Sequence, residues 1–170
     1  NQNSLAEGAF WKIFCVVRAV LLQSDLPKPL WSYAYLFAAY VLNRTPRISR
    51  SNKLVSSYEI LHHRVPSLHH IKVFGCRAHA LIDKVNRGTK LGDVAVTGFH
   101  LGPARYQRGW HIWIPGANKF IVARTVRFDE EVLYRDVRST YVDAPPADAG
   151  ADTSDDDDAD DAAAPRPRPH

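Results

Sequence analysis

The chain has 170 residues, of which 45% are apolar and 24% charged, and its net charge is +4. That is enough for one ordinary domain or two very small ones, with a core of its own. The charge is unevenly placed: residues 1–142 carry 20 Lys+Arg against 9 Asp+Glu (+11), and residues 143–170 carry 2 Arg against 9 Asp (−7). Two cysteines, Cys15 and Cys76, exclude a disulfide scaffold, and no CxxC pair offers a zinc-ribbon spacing. No methionine occurs, position 1 included, which reads as a piece of a longer product.

Residues 5–23 read as a helix, with Phe10, Phe14, Val17 and Leu21 at helical spacing and Lys12, Arg18 and Gln23 off that stripe. Asp25-Leu-Pro-Lys-Pro29 stops it and starts the next. Residues 30–43 read as a second helix, apolar nearly all round and therefore expected to be buried against several neighbours. A third, short helix is expected at 56–62, with Ser56 or Ser57 as N-cap and Glu59 as capping partner. The most apolar stretch, Leu30–Leu42, falls well short of the ~20 residues of a membrane span. No signal peptide opens the chain, so an intracellular protein is expected.

After Pro66 the pattern changes. Residues 71–82, 94–101, 110–115 and 119–128 are short runs rich in Val, Ile, Phe and Trp, separated by Gly and Pro. They predict a small β-barrel. Beyond Val142 no aromatic or β-branched aliphatic residue appears, and Asp155–Asp158 is an unbroken acidic run. Such a segment cannot bury enough apolar surface to offset its ordering entropy, and it is expected to be disordered.

No phosphate-binding glycine loop and no GxSxG elbow occurs. His62, His63, His69, His70 and His79 cluster around Cys76, but adjacent histidines point apart on most backbones, so a half-exposed connector is favoured over a metal site. Cys76, inside the apolar run Val73-Phe-Gly-Cys76, reads as a buried structural cysteine. The basic body favours polyanionic partners, nucleic acid first. Its candidate contacts are Lys72, Arg77, Lys84, Arg87, Lys90, Arg105, Arg108, Lys119, Arg124 and Arg127, with Tyr106, Trp110 and Trp113 interleaved. Aromatic rings beside arginine can stack on bases.

Five strings then acquire a joint meaning. Gln2-Asn-Ser-Leu-Ala-Glu7 resembles the Q-N-G-x-A-E-R signature of copia-type retrotransposon integrases. Tyr40-Val-Leu-Asn-Arg-Thr-Pro46 resembles their Y-x-L-N-R-x-P segment, and Pro66-Ser-Leu-His-His-Ile-Lys-Val-Phe-Gly-Cys76 their P-x-x-x-H-L-x-x-F-G-C segment. Gly98-Phe-His through Gly109-Trp-His-Ile-Trp resembles a G-Y…K-G-Y-R-x-W pattern, and Ala123-Arg-Thr-Val-Arg-Phe-Asp-Glu130 an S-R-D-V-x-F-D-E ending. Each is weak alone, but the five fall in the family's order.

The resemblance implies an α+β fold. Residues 1–65 would be the C-terminal part of an RNase H-like catalytic core. Residues 67–135 would be an SH3-like β-barrel, and residues 136–170 a disordered acidic, Pro-rich linker towards reverse transcriptase. It also implies a DDE chemistry, in which two Asp and one Glu hold Mg²⁺ ions that activate the attacking hydroxyl. Glu7 matches the third carboxylate and would be the metal ligand. The two Asp lie upstream in the family, so the chain alone is expected to be inactive and to carry no cofactor, Mg²⁺ belonging to the intact parent. Ser4, Gly8 and Phe10 depart from the family's Gly, Arg and polar residue. The expected partners of the parent are DNA and further integrase copies, in the nucleus, with no membrane. The alternatives are a non-catalytic module that holds nucleic acid or a chromatin protein, and a functionless relic.

Overall fold

The computed structural model describes residues 3–48, 52–82 and 94–142. The acidic run and the candidate contacts Lys84, Arg87 and Lys90 lie outside the described residues.

Helix α1 spans Ser4–Ser24 and ends on Asp25, which takes a left-handed φ of 53° and donates its N–H to the Leu21 carbonyl. A 3-10 turn at Lys28–Leu30, opened by Pro27 and carrying Pro29, leads into α2 at Trp31–Arg44. A two-residue hairpin follows, β1 (Arg47–Ile48) against β2 (Leu54–Val55), which the sequence reading did not anticipate. Helix α3 is Ser57–His62, and the Ser56 hydroxyl accepts the Glu59 N–H at 3.0 Å as its N-cap.

Five strands then form one antiparallel sheet: β3 (Cys76–Leu81), β4 (Ala95–Pro103), β5 (Trp110–Ile114), β6 (Lys119–Ala123) and β7 (Val126–Leu133). Their order across the sheet is β6-β5-β4-β3-β7. The run expected at 119–128 breaks at Arg124-Thr125 into β6 and β7. Among the described residues β6 and β7 do not pair, so hydrogen bonds do not close the barrel. The sheet is nevertheless curled: Ile121 of β6 and Val126 and Phe128 of β7 share one apolar cluster with Ala78, Ala80, Val96 and Ile112. The Trp110 and Phe128 rings meet at 5.4 Å across the same concave face.

The expectation that residues 136–170 form a linker is corrected at its start. Tyr134–Val142 is a helix, α4. Tyr134, Val137 and Tyr141 recur at helical spacing and pack on the main core, and the Tyr134 and Tyr141 rings lie 5.0 and 5.6 Å from Phe99.

The main core joins the helices to the sheet. Val17, Leu26, Leu30, Ala34, Phe37 and Ala38 pack with Phe74, Phe99, Leu101, Trp113 and Tyr134. Large side chains buried in this way each contribute about 1.5–3 kcal/mol. Residues on both sides of position 66 therefore share one apolar interior. Gly75 sits at the seam with φ 75°; a Cβ there would lie 2.4 Å from Ser24 Cβ. Its N–H donates to the His100 carbonyl and its own carbonyl accepts from Tyr134, so only glycine lets the end of α1, β4 and α4 meet at this point.

The stripe expected on α1 is half realised. Val17 is buried, but Phe10 and Phe14 are about half exposed, and Trp11 and Leu22 are each 72% exposed. On α2, Trp31 and Leu36 are also about half exposed.

Candidate nucleic-acid interface

On α2, Tyr40 and Arg44 stand one turn apart. The Arg44 guanidinium lies 3.5 Å from the centre of the Tyr40 ring and 4.7 Å from that of Tyr58 on α3. Arg64, just beyond α3, lies 5.7 Å from the Tyr58 ring centre and donates two hydrogen bonds to its hydroxyl, at 2.7 and 3.1 Å. The Tyr40 hydroxyl is hydrogen-bonded to His70 Nε2. Burial, and then Arg44 and His69, hold the His70 imidazolium below its usual pKa, so this ring is neutral at pH 7. Burial raises the Tyr40 phenol, so it keeps its proton.

Tyr40 and His70 form one wall of an open cleft of about 530 Å³, and the loop after β4 forms the other. That loop contributes Pro103 through Trp110, including Arg105, Tyr106 and Arg108. Ala104 N–H donates to the Gly109 carbonyl at 2.9 Å and pins its base. Gly109 has φ 138°, and a Cβ there would strike the Ala123 carbonyl at 2.5 Å. The loop tip is open: Tyr106 is 91% exposed, with the Arg105 guanidinium 5.5 Å from its ring centre. Among the described residues neither Arg105 nor Arg108 forms an ion pair, and no carboxylate lines the cleft.

The remaining candidates divide. Lys72 pairs with Glu130 at 2.8 Å and Arg77 with Asp129 at 2.6 Å, so their charges are met within the protein. These hydrogen bonds hold both carboxyls below their usual range. Glu130 also accepts the Val73 N–H, which clips the approach to β3 onto β7. Lys119 and Arg124 line a separate groove with Leu81, Ile82, Val96 and Ile121. Arg127 is exposed on β7, opposite His79. Trp110 borders the cleft and reaches Phe128 behind it, whereas Trp113 is core, its indole N–H bonded to Asn118. Trp113 is thus removed from the aromatic candidates. Tyr40, Arg44, Tyr58, Arg64 and His70 are not among the nucleic-acid contacts expected from the sequence. The signal available for two of them was the i, i+4 spacing of Tyr40 and Arg44 on one helix face.

Glu7 is exposed in the first turn of α1. Among the described residues no three His, Cys, Asp or Glu side chains converge in a way that could hold a metal ion. A single exposed carboxylate does not fit a Mg²⁺ ion without donors from elsewhere. Of the histidines near Cys76, His62 lies against the Tyr58 ring, His69 bonds Ser67, His70 bonds Tyr40 and His79 bonds Thr97, and the His69 and His70 rings meet edge to face at 5.9 Å. Burial, and secondarily Glu130, push the Cys76 thiol up to about 12, the behaviour of an inert structural cysteine. No helix among the described residues is long and apolar enough to cross a membrane.

Comparison with known proteins decides what carries this cleft. Residues 76–142 match the family model of the retroviral polymerase SH3-like domain. Residues 76–142 thus carry the sequence pattern of a retroviral polymerase SH3-like domain. The match begins at β3 and runs to the end of α4, so the helix misread as linker lies within it. The chain is also 34% identical over 130 residues to the Retrovirus-related Pol polyprotein from transposon TNT 1-94 of Nicotiana tabacum. It is 28% identical over 130 residues to those from transposons RE1 and RE2 of Arabidopsis thaliana. Each alignment takes in 76% of this chain, but it spans only 9–10% of the relative. The chain is therefore related to retrotransposon Pol polyproteins and corresponds to about a tenth of their length. No solved structure matches it significantly. The strip of arginine and tyrosine runs from the helices across to the loop of the SH3-like domain.

Proposed function

We propose that this chain is a piece of a retrotransposon Pol integrase whose parent carries out DNA integration, and that its own part in that work is to hold nucleic acid. The observation that carries the reading is the strip Arg64-Tyr58-Arg44-Tyr40, continued by Arg105, Tyr106 and Arg108 around one cleft lined by no carboxylate. Guanidinium groups pair with phosphate oxygens and flat rings stack on bases, and this face offers both. Catalysis is assigned to the parent. Glu7 would serve there as one carboxylate of three, with Mg²⁺ supplied between it and two Asp outside this chain. The exposed Phe10, Trp11 and Phe14 on the same helix accord with a surface that the rest of a catalytic core would cover.

The test is duplex DNA binding by the full chain, titrated across salt, because the shared core makes the SH3-like domain a poor candidate for isolation. If Arg44, Arg64, Arg105 and Arg108 each meet a phosphate, affinity falls about 100-fold between ~50 and ~200 mM salt. No binding of either duplex or single strand at low salt sinks the reading.

A further inference from the structure

The cleft has features that a surface tracking only a duplex backbone does not require. Phosphate contacts need accessible positive charge; they do not need an exposed ring held between the charges. The cleft is shallow and open to solvent, so a base can approach its lining residues face-on. Tyr40, Tyr106 and Trp110 are among its lining residues. Tyr106 is almost wholly in solvent, so its ring is open to a stacking partner. Its loop is fixed at the base by the Ala104–Gly109 hydrogen bond and by the close approach of Gly109 to Ala123, so Tyr106 is held out on an anchored loop. Arg105 and Arg108 flank the ring without acidic partners among the described residues.

A base inside a duplex has both faces covered by its neighbours and cannot stack on an exposed ring; an unpaired base can. Resting on the nucleic-acid reading above, we infer that the cleft between Tyr40–His70 and the Ala104–Gly109 loop receives an unpaired base, so that this face prefers single-stranded nucleic acid. The base stacks on Tyr106, and Arg105 and Arg108 take the flanking phosphates.

The experiment is fluorescence anisotropy with the full chain at ~50 mM salt, comparing oligo-dT of ~15 nucleotides with a blunt duplex of the same length. The wild type is expected to bind oligo-dT more tightly than the duplex. Tyr106→Ala should weaken oligo-dT binding about tenfold, several-fold more than it weakens duplex binding. Because Tyr106 is 91% exposed, the variant should keep the parental melting curve, which circular dichroism checks. The double variant Arg105→Ala, Arg108→Ala should weaken both ligands. An oligo-rU arm separates the two sugar backbones, and tight binding of either strand with the same dependence on Tyr106 upholds the inference. Equal loss on both ligands, or no loss on either, overturns it while leaving the nucleic-acid reading intact. Absence of binding to every probe overturns both.

Discussion

His100 lies on β4 between the helices and the concave face of the sheet, 1% exposed. Its Nδ1 is 3.1 Å from the Val73 carbonyl oxygen, which can only accept, so Nδ1 carries the proton. Nε2 is left as a bare, buried lone pair with no partner among the described residues. The Phe37 and Phe128 rings flank it, at 6.2 and 5.1 Å. Charging this ring in place would put a second N–H where nothing accepts it. Burial accordingly pushes its pKa from 6.5 down to about 4, against the smaller upward pulls of the Val73 hydrogen bond and Glu130.

Between those values the unfolded chain binds a proton that the folded chain refuses, so stability rises with pH. The full contribution is present above pH 6.5 and is lost as pH falls towards 4. A difference of that size corresponds to about 3 kcal/mol across the window. His70 and His111 are lowered in the same direction and leave a smaller slope of their own. His100→Phe keeps the ring between its aromatic neighbours and removes the titration. It also removes one of the two hydrogen bonds that the Val73 carbonyl accepts, the Cys76 N–H supplying the other at 3.3 Å, so the variant should start about 0.5–1.5 kcal/mol less stable at pH 7.5. The informative quantity is the difference in slope. Urea unfolding followed by tryptophan fluorescence, at steps from pH 7.5 to 4.5, should show the two stability curves converging as pH falls. Parallel curves would refute the assignment of the buried, unpartnered nitrogen.

Three further outcomes follow from the packing. Gly75→Ala forces a left-handed residue to carry a Cβ 2.4 Å from that of Ser24, and should cost about 2–4 kcal/mol in the same urea assay. Gly116, which has no atom within 4 Å of where its Cβ would be, is the control, and Gly116→Ala should leave the midpoint nearly unchanged. A maleimide added to the native chain at pH 7.5 should label Cys15, which is exposed, while Cys76, buried with its thiol pushed up to about 12, reacts only after denaturation; mass spectrometry counts the adducts. The double variant Trp11→Gln, Leu22→Gln should reduce concentration-dependent self-association in sedimentation velocity without lowering the melting temperature, because both side chains are 72% exposed and anchor nothing.

Local punctuation made the helices legible. Pro27 and Pro29 separate α1 from α2, and Ser56 three residues before Glu59 marks the start of α3; each works through its own backbone and needs no distant partner. The strand runs were legible for the same reason, being bounded by glycine and proline. What failed depended on partners far away in sequence. Tyr134, Val137 and Tyr141 carry a helical period, but their value lies in Phe99 and Trp113, and without those the segment looks like the first part of an acidic tail. Phe10 and Phe14 have the same period as Val17, yet only the second half of that stripe meets the sheet. Periodicity says that a face is apolar; it does not say that this chain supplies what covers it.

The same distinction governs the candidate site. Lys72 and Glu130 are 58 positions apart, and Arg77 and Asp129 are 52 apart, so nothing local distinguishes these cations from Arg105 and Arg108. Strand pairing between β3 and β7 removes the first two from the free surface, because it sets Arg77 opposite Asp129. The loop after β4 has no strand opposite it to supply acids, and its arginines stay available. The helical segment completes the arrangement: α2 packs against β4 through Phe37, whose ring lies 3.5 Å from where a Gly102 Cβ would be, and this docking brings Tyr40 and Arg44 to the edge of the loop. Neither half holds the whole strip. If nucleic acid is bound here, a substitution at the seam, such as Gly75→Ala, should weaken binding more than its distance from the cleft suggests, because it loosens the two walls from one another.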